Sequence, residues 1–312
     1  MKKYDFLTLG EALIDFTPNG VSEHGFPAYA QNPGGAVLNA AAVLGKYGNK
    51  SAIISKVGND MFGEFLKEKL AQTGVDVSHM IVDNDYNTTL AFVSLKPDGD
   101  RSFAFYRKNN ADVKLRADDL NEELLSDTKI FHFGGLSLVT PSYAETTVKA
   151  IKTAKAAGAV ISYDPNYRAS LWDSEEGAIR GMLSVMGYVD LLKISEEEAE
   201  LLFGNATIEE YEDKLLSLGI KFVAITAGAK GAYYASSYIR GYVPALDVKA
   251  RDTTGAGDIF WGTFLHGWLH DKPALNDKNA LEACVVRATK ASVISTLKTG
   301  AVPSIPTLKE IY

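Results

Sequence analysis

The stretch best equipped for chemistry is Asp252-Thr253-Thr254-Gly255-Ala256-Gly257-Asp258, which sets one carboxylate directly after three small residues. The apolar run that follows, Ile259-Phe260-Trp261, reads as the start of a helix. Gly255, Ala256 and Gly257 let a ligand approach the backbone, because nothing larger than a methyl group intervenes. The first N–H groups of the helix lack intrahelical partners and stand as anion donors. Its dipole favours an ionised Asp258. A base beside an anion hole is what phosphoryl transfer to a hydroxyl requires. The same residues also fit a plainer alternative, an Asp-capped helix of the core.

Other candidates lie upstream. Pro33-Gly34-Gly35 opens a helix predicted over Ala36–Tyr47, with Asn39 on its first turns. It fits either a backbone approach to a ligand, with Asn39 bonding a hydroxyl, or close helix packing after a turn. Asp15 falls just beyond a buried strand at Phe6–Gly10, at the edge where ligands of open α/β sheets gather. Arg107 and Arg168 each end a strand-like segment at that edge. A guanidinium there suits a carboxylate or phosphate, and a surface arginine is the ordinary alternative. Glu196-Glu197-Glu198 fits a solvated first helical turn or, through one member, a water on Mg²⁺. His266 and His270 have metal-pair spacing but lack the Glu of HExxH, which disfavours zinc.

The elements that must hold these residues alternate. Strands are predicted at Ser51–Val57, Lys129–Leu138, Ala159–Tyr163, Leu191–Ile194 and Phe222–Thr226, with helices between, notably Gly63–Gln72 and Pro141–Ala157. This rhythm predicts an α/β fold, a doubly wound, largely parallel sheet flanked by helices. Thr88–Leu95 and Arg101–Arg107 alternate with period two around Pro97-Asp98-Gly99-Asp100, a hairpin. Together with the turn-rich Thr17–Pro33, it predicts a small β-sheet lid, about 11–33 and 86–110, inserted in a single domain over 1–312. Hairpin-like strands near Ala232–Ala235 and Tyr238–Val243 and a long helix at Lys278–Leu297 complete the chain.

Bulk properties exclude several classes. The 312 residues are 46% hydrophobic with net charge -7 and no basic run, so nucleic acid is not the expected partner. Cys284 is the only cysteine, which rules out an intramolecular disulfide and a CxxC metal site. No apolar run reaches membrane-span length, and no signal-peptide core opens the chain, so a cytoplasmic location without membrane contact is expected. There is no GxxxxGK[ST] and no complete GxGxxG after a strand, which disfavours a P-loop and a nicotinamide oxidoreductase.

Taken in order, these motifs resemble the ribokinase-like (PfkB) carbohydrate kinases across essentially the whole chain. Asp252–Asp258 matches the family's C-terminal signature, and Gly34-Gly35, Asn39, Ala41, Gly48 and Gly58 its N-terminal one. Ser195-x-x-Glu198 resembles the family's Asn-x-x-Glu, and Thr226-Ala227-Gly228 its Thr-x-Gly. Phe105-Tyr106-Arg107 and Asp164-Pro165-Asn166-Tyr167-Arg168 are similar to bacterial fructokinases and 2-keto-3-deoxygluconate kinases, the former more so.

The resemblance implies ATP-dependent phosphorylation of a sugar, fructose at its 6-hydroxyl first and 2-keto-3-deoxygluconate second. It makes Asp258 the base and Gly255, Ala256 and Gly257 the anion hole. Asp15, Gly34, Gly35, Asn39, Tyr106, Arg107, Asn166 and Arg168 would hold the sugar. Lys193, Ser195, Thr226, Gly228, Gly231 and Thr289 would line the ATP side, with Glu198 reaching Mg²⁺ through water. It further implies a K⁺ site near Asp252 and Thr254 and a homodimer contact through the lid. Ser195 replaces the family's Asn, and Thr289 stands where many relatives have an adenine-side Asn. A non-catalytic sugar sensor is the alternative from another class, disfavoured by the intact Asp258 turn.

Overall fold

The computed structural model describes residues 2–95 and 101–312. The centre of the expected hairpin turn, Pro97-Asp98-Gly99-Asp100, lies outside the described residues. In chain order the strands are β1 (Tyr4–Leu9), β2 (Leu13–Val21), β3 (Pro27–Gly34), β4 (Ser51–Gly58), β5 (Val75–Asp76), β6 (Met80–Asp83) and β7 (Thr89–Leu95). They continue as β8 (Arg101–Tyr106), β9 (Thr128–Gly134), β10 (Val160–Asp164), β11 (Leu191–Ser195), β12 (Phe222–Thr226), β13 (Gly231–Ser236) and β14 (Arg240–Pro244).

Among the described residues, ten of these strands form one sheet in the order β14-β13-β12-β11-β10-β9-β1-β4-β5, with β6 also on β4. Pairing is parallel from β12 through β9 and β1 to β4, and antiparallel only at the β12-β13-β14 edge. Alternation along each strand divides the side chains between two cores. Phe6, Ile53, Ile130 and Phe222 face the one that holds Trp261 and Phe264. Leu7, Ile54, Phe131 and Val223 face the other, under the helix Pro141–Ala156. Burial on both faces is what a central parallel sheet requires.

β1 is flanked by β4 on one side and β9 on the other. The chain therefore reverses its direction of winding there, and ligands gather at such switch points. β2, β3, β7 and β8 form a separate four-stranded sheet in the order β3-β2-β7-β8. The alternating run after Gly10 belongs to this small sheet: pairing stops at Leu9 and resumes at Leu13, so Asp15 is carried by β2. The strand expected to reach Leu138 ends at Gly134, where Gly135–Leu138 turns into a short 3-10 helix. No described helix is long and apolar enough to cross a membrane.

Candidate active site

The Asp258 turn folds as its small residues dictate. Gly255 adopts φ 74°, and a Cβ there would lie 2.3 Å from the Ala301 Cβ, so both conformation and space demand glycine. Asp252 fixes the turn from below, its carboxylate accepting from the Thr254 N–H at 2.8 Å and the Gly300 N–H at 2.9 Å. The helix Ala256–Asp271 then begins. Ala256 gives its N–H to the Thr253 carbonyl at 3.2 Å, which leaves Gly257 and Asp258 as first-turn donors without an intrahelical carbonyl.

Asp258 is buried and doubly held. Asn39 donates to its Oδ2 at 2.7 Å and Asn166 to its Oδ1 at 3.1 Å. Asn39 sits one turn into the helix Ala36–Lys46, whose start is freed by Gly35 at φ 113°. Asn166 takes φ 44° in the turn after β10, a conformation Asn tolerates. Burial and the charge of Asp164 push the Asp258 carboxyl up to about 6, with Asn39, Lys193 and Arg168 restraining the rise. A carboxyl so placed is ionised at neutral pH yet a stronger base than an exposed one.

Two cavities meet at this turn. The first, about 410 Å³, is lined by Glu11, Asp15, Asn39, Asn166, Arg168 and Asp258, with Phe103 and Phe105 of the small sheet closing over it. Asn39 Oδ1, buried and without a hydrogen-bond partner among the described residues, is one polar atom left for a ligand. Burial and the Asp258 charge push the Asp15 carboxyl up to about 7, partly offset by Arg168. Gly34 lies against Asp15, where a Cβ would come within 2.3 Å of Oδ2.

The second cavity, about 400 Å³, is lined by Thr226, Gly228, Gly231, Ala256, Gly257 and Thr289, with Val248, Phe260 and Val293 supplying apolar walls. Thr289 Oγ1 is buried and also lacks a partner among the described residues. Thr253 lines both cavities. Asp258 therefore opens on the first and Gly257 on the second, one residue apart.

Lys193 lies beside Gly257, behind the described lining of both cavities. Its ammonium pairs with Asp164 at 3.0 Å and lies 3.1 Å from where a Gly257 Cβ would be. Burial would lower its pKa, but Asp164, Glu198 and Asp258 raise it, so it stays charged. Ser195 caps the helix Glu196–Phe203 by accepting from the Glu198 N–H at 3.1 Å. Glu198 in return accepts from the Ser195 N–H at 2.8 Å and from the Tyr167 N–H at 2.7 Å, tying two strand ends together. Neither Ser195 nor Glu198 lines the second cavity.

Two residues expected at the substrate make other contacts. Arg107 is not among the described residues lining the first cavity: its Nε donates to Asp112 at 2.6 Å and its Nη2 to the Leu136 carbonyl at 3.1 Å, all buried. A buried guanidinium needs a carboxylate, and Asp112, five residues on, supplies it. Tyr106 is 64% exposed and packs edge-on against Phe92, away from the cavity. Strand alternation sends Phe103 and Phe105 inward and so turns Tyr106 out. Glu11, Asp164 and Leu136 also stand at the site, none of them among the expected site residues. Glu11 carried a signal, since it directly follows Gly10 at the carboxyl edge of β1.

The family described as pfkB family carbohydrate kinase matches residues 4–308. A fructokinase-1 from Zea mays is 40% identical over 308 residues, covering 98% of this chain and 95% of that one. A double-mutant fructokinase from Vibrio cholerae, solved with fructose, ADP and potassium ion, superposes with a TM-score of 0.90 at 30% identity, covering 100% and 98% of the two chains. A ribokinase II-type structure from E. coli in complex with ATP and Mg²⁺ has a TM-score of 0.88 at 30% identity, covering 99% and 97%.

Proposed function

Since this chain belongs to the pfkB family of carbohydrate kinases and is an ATP-dependent sugar kinase, we propose that its acceptor is fructose, phosphorylated at the 6-hydroxyl. The observation that carries the choice of sugar is the charge of the first cavity. Among the described residues three carboxyls line it, Glu11, Asp15 and Asp258, against the one guanidinium of Arg168. Arg107, the second arginine that a substrate carboxylate would call for, is committed to Asp112. A neutral polyol meets such a wall with hydrogen bonds, whereas the carboxylate of 2-keto-3-deoxygluconate adds a further negative charge where burial already raises the Glu11, Asp15 and Asp258 carboxyls.

Asp258 takes the hydroxyl proton as the sugar oxygen attacks in line, and Asn39 and Asn166 keep its carboxylate aimed. Asn39 Oδ1, Asp15 and Arg168 hold the remaining hydroxyls. The Gly257 and Asp258 N–H groups and Lys193 face the charge that grows on the transferred phosphoryl group. Phe103 and Phe105 shield the reaction from water, which makes the small sheet a lid. Thr226, Gly228, Gly231 and Thr289 bind the nucleotide.

The donor set fits Mg²⁺ carried by the nucleotide rather than by a protein cage. Among the described residues no three His, Cys, Asp or Glu side chains gather as a metal site, and Glu198 keeps acceptor capacity on both oxygens for a water. When bound, Mg²⁺ neutralises phosphate charge. Backbone around Asp252 and Thr254 would supply K⁺ contacts.

ADP release measured with fructose, ribose, 2-keto-3-deoxygluconate and nucleosides, with and without K⁺, tests this reading. Fructose should give the highest kcat/KM. A higher value for 2-keto-3-deoxygluconate would transfer the assignment to that acid, and no sugar-dependent release at all would leave a sugar sensor.

A further inference from the structure

Glu11 is a carboxyl of the first cavity that the proposed reaction leaves without a hydroxyl of its own. It is 1% exposed and lines the cavity beside Asp15. Its two oxygens differ. Oε1 accepts from the Ala36 N–H at 2.8 Å and so holds the first turn of the Asn39 helix. Oε2 is equally buried and has no hydrogen-bond partner among the described residues. A buried carboxyl oxygen left unmatched costs stability unless a ligand completes it.

Its surroundings exclude the simplest alternatives. Arg107 is the cation whose charge pulls on Glu11, but its Nε and Nη2 are directed to Asp112 and Leu136. The backbone carbonyl of Glu11 packs on Gly35, where a Cβ would approach to 2.5 Å, so the residue cannot swing away without disturbing the Gly34-Gly35 turn. Burial pushes its carboxyl up to about 7, against the pull of Arg107. Protonated or ionised, a carboxyl oxygen so placed can bond a hydroxyl, as donor in one state and acceptor in the other.

We propose that Glu11 binds an acceptor-sugar hydroxyl other than the one phosphorylated, and so selects sugars that carry that hydroxyl. The proposal rests on the first cavity being the sugar site. Asp258 lies beside the anion donors and takes the reacting hydroxyl, which leaves Glu11 to a hydroxyl elsewhere on the ring. The same residue thus positions the Gly34-Gly35 turn through one oxygen and reads the substrate through the other.

The test is a cycle of Glu11→Met and Glu11→Gln against monodeoxy analogues of fructose. E11M should raise the sugar KM on the order of tenfold or more, the size expected for one charged hydrogen bond, and move the ATP KM much less. One analogue, lacking the hydroxyl that Glu11 binds, should lose activity on wild type but lose nothing further on E11M, while the others lose equally on both. E11Q, which keeps an oxygen for the Ala36 N–H, should fold normally and change discrimination against that same analogue. If every analogue behaves additively in both variants, Glu11 only positions the turn and the proposal fails. The reading of the site fails separately, and is recognised by a wild-type enzyme that does not turn over fructose. The cycle is then run on the deoxy series of whichever sugar is turned over, with the same outcomes deciding.

Discussion

Asn39 donates to Asp258 Oδ2 at 2.7 Å, joining the N-terminal turns of two helices that lie 219 residues apart in the chain. The bond restrains the rise in the Asp258 pKa that burial imposes. In wild type, the rate should fall as pH drops through about 6, because Asp258 below that value holds a proton and cannot accept another. Removing the bond in Asn39→Ala favours the protonated form, so the acid limb should move to higher pH. A pH profile of kcat/KM reads both values. An acid limb that stays put in N39A would show that Asp258 is not the titrating base.

Arg107 and Asp112 form a buried pair that also reaches the small sheet at Thr89, which donates to Asp112 Oδ1 at 2.5 Å. One carboxylate thus fastens the start of β7 and the chain just after β8. Arg107→Ala strands that carboxylate and should cost roughly 3–5 kcal/mol of stability. Urea unfolding measures the loss. A stable R107A with a raised sugar KM would return Arg107 to the sugar.

Thr289 Oγ1 is buried in the wall of the second cavity without a partner among the described residues. Thr289→Val keeps the shape and removes the hydroxyl. It should raise the ATP KM several-fold, in line with one neutral hydrogen bond at about 1 kcal/mol, and leave the sugar KM in place. Steady-state titration of each substrate separates the two. An altered sugar KM with an unchanged ATP KM would count against the nucleotide assignment.

Much of this was legible in the sequence because it is local. Gly255 makes the turn and Asp258 falls in the first turn of the helix that follows, and Asn39 follows from the Gly34-Gly35 start. Strand and helix periodicity likewise gave the parallel sheet. What escaped depends on distant partners or on a choice of face. The pattern at Phe103–Arg107 alternates clearly, but alternation alone does not say which face looks into the cavity, and that choice exchanges Phe105 for Tyr106. Arg107 stands where a substrate contact was expected, and only the packing shows Asp112 in its fork. Asp164 and Lys193 become a pair through the register of β10 and β11. Glu11 needed the unmatched oxygen to be seen before its position meant anything.

The account turns on Asp258 as the base between two cavities, and Asp258→Asn tests it most directly. Turnover of fructose by D258N should fall by roughly 10²–10⁴ or more, the range for loss of a positioned general base, while calorimetric binding of fructose and ATP persists. Near-normal turnover in D258N would contradict the account.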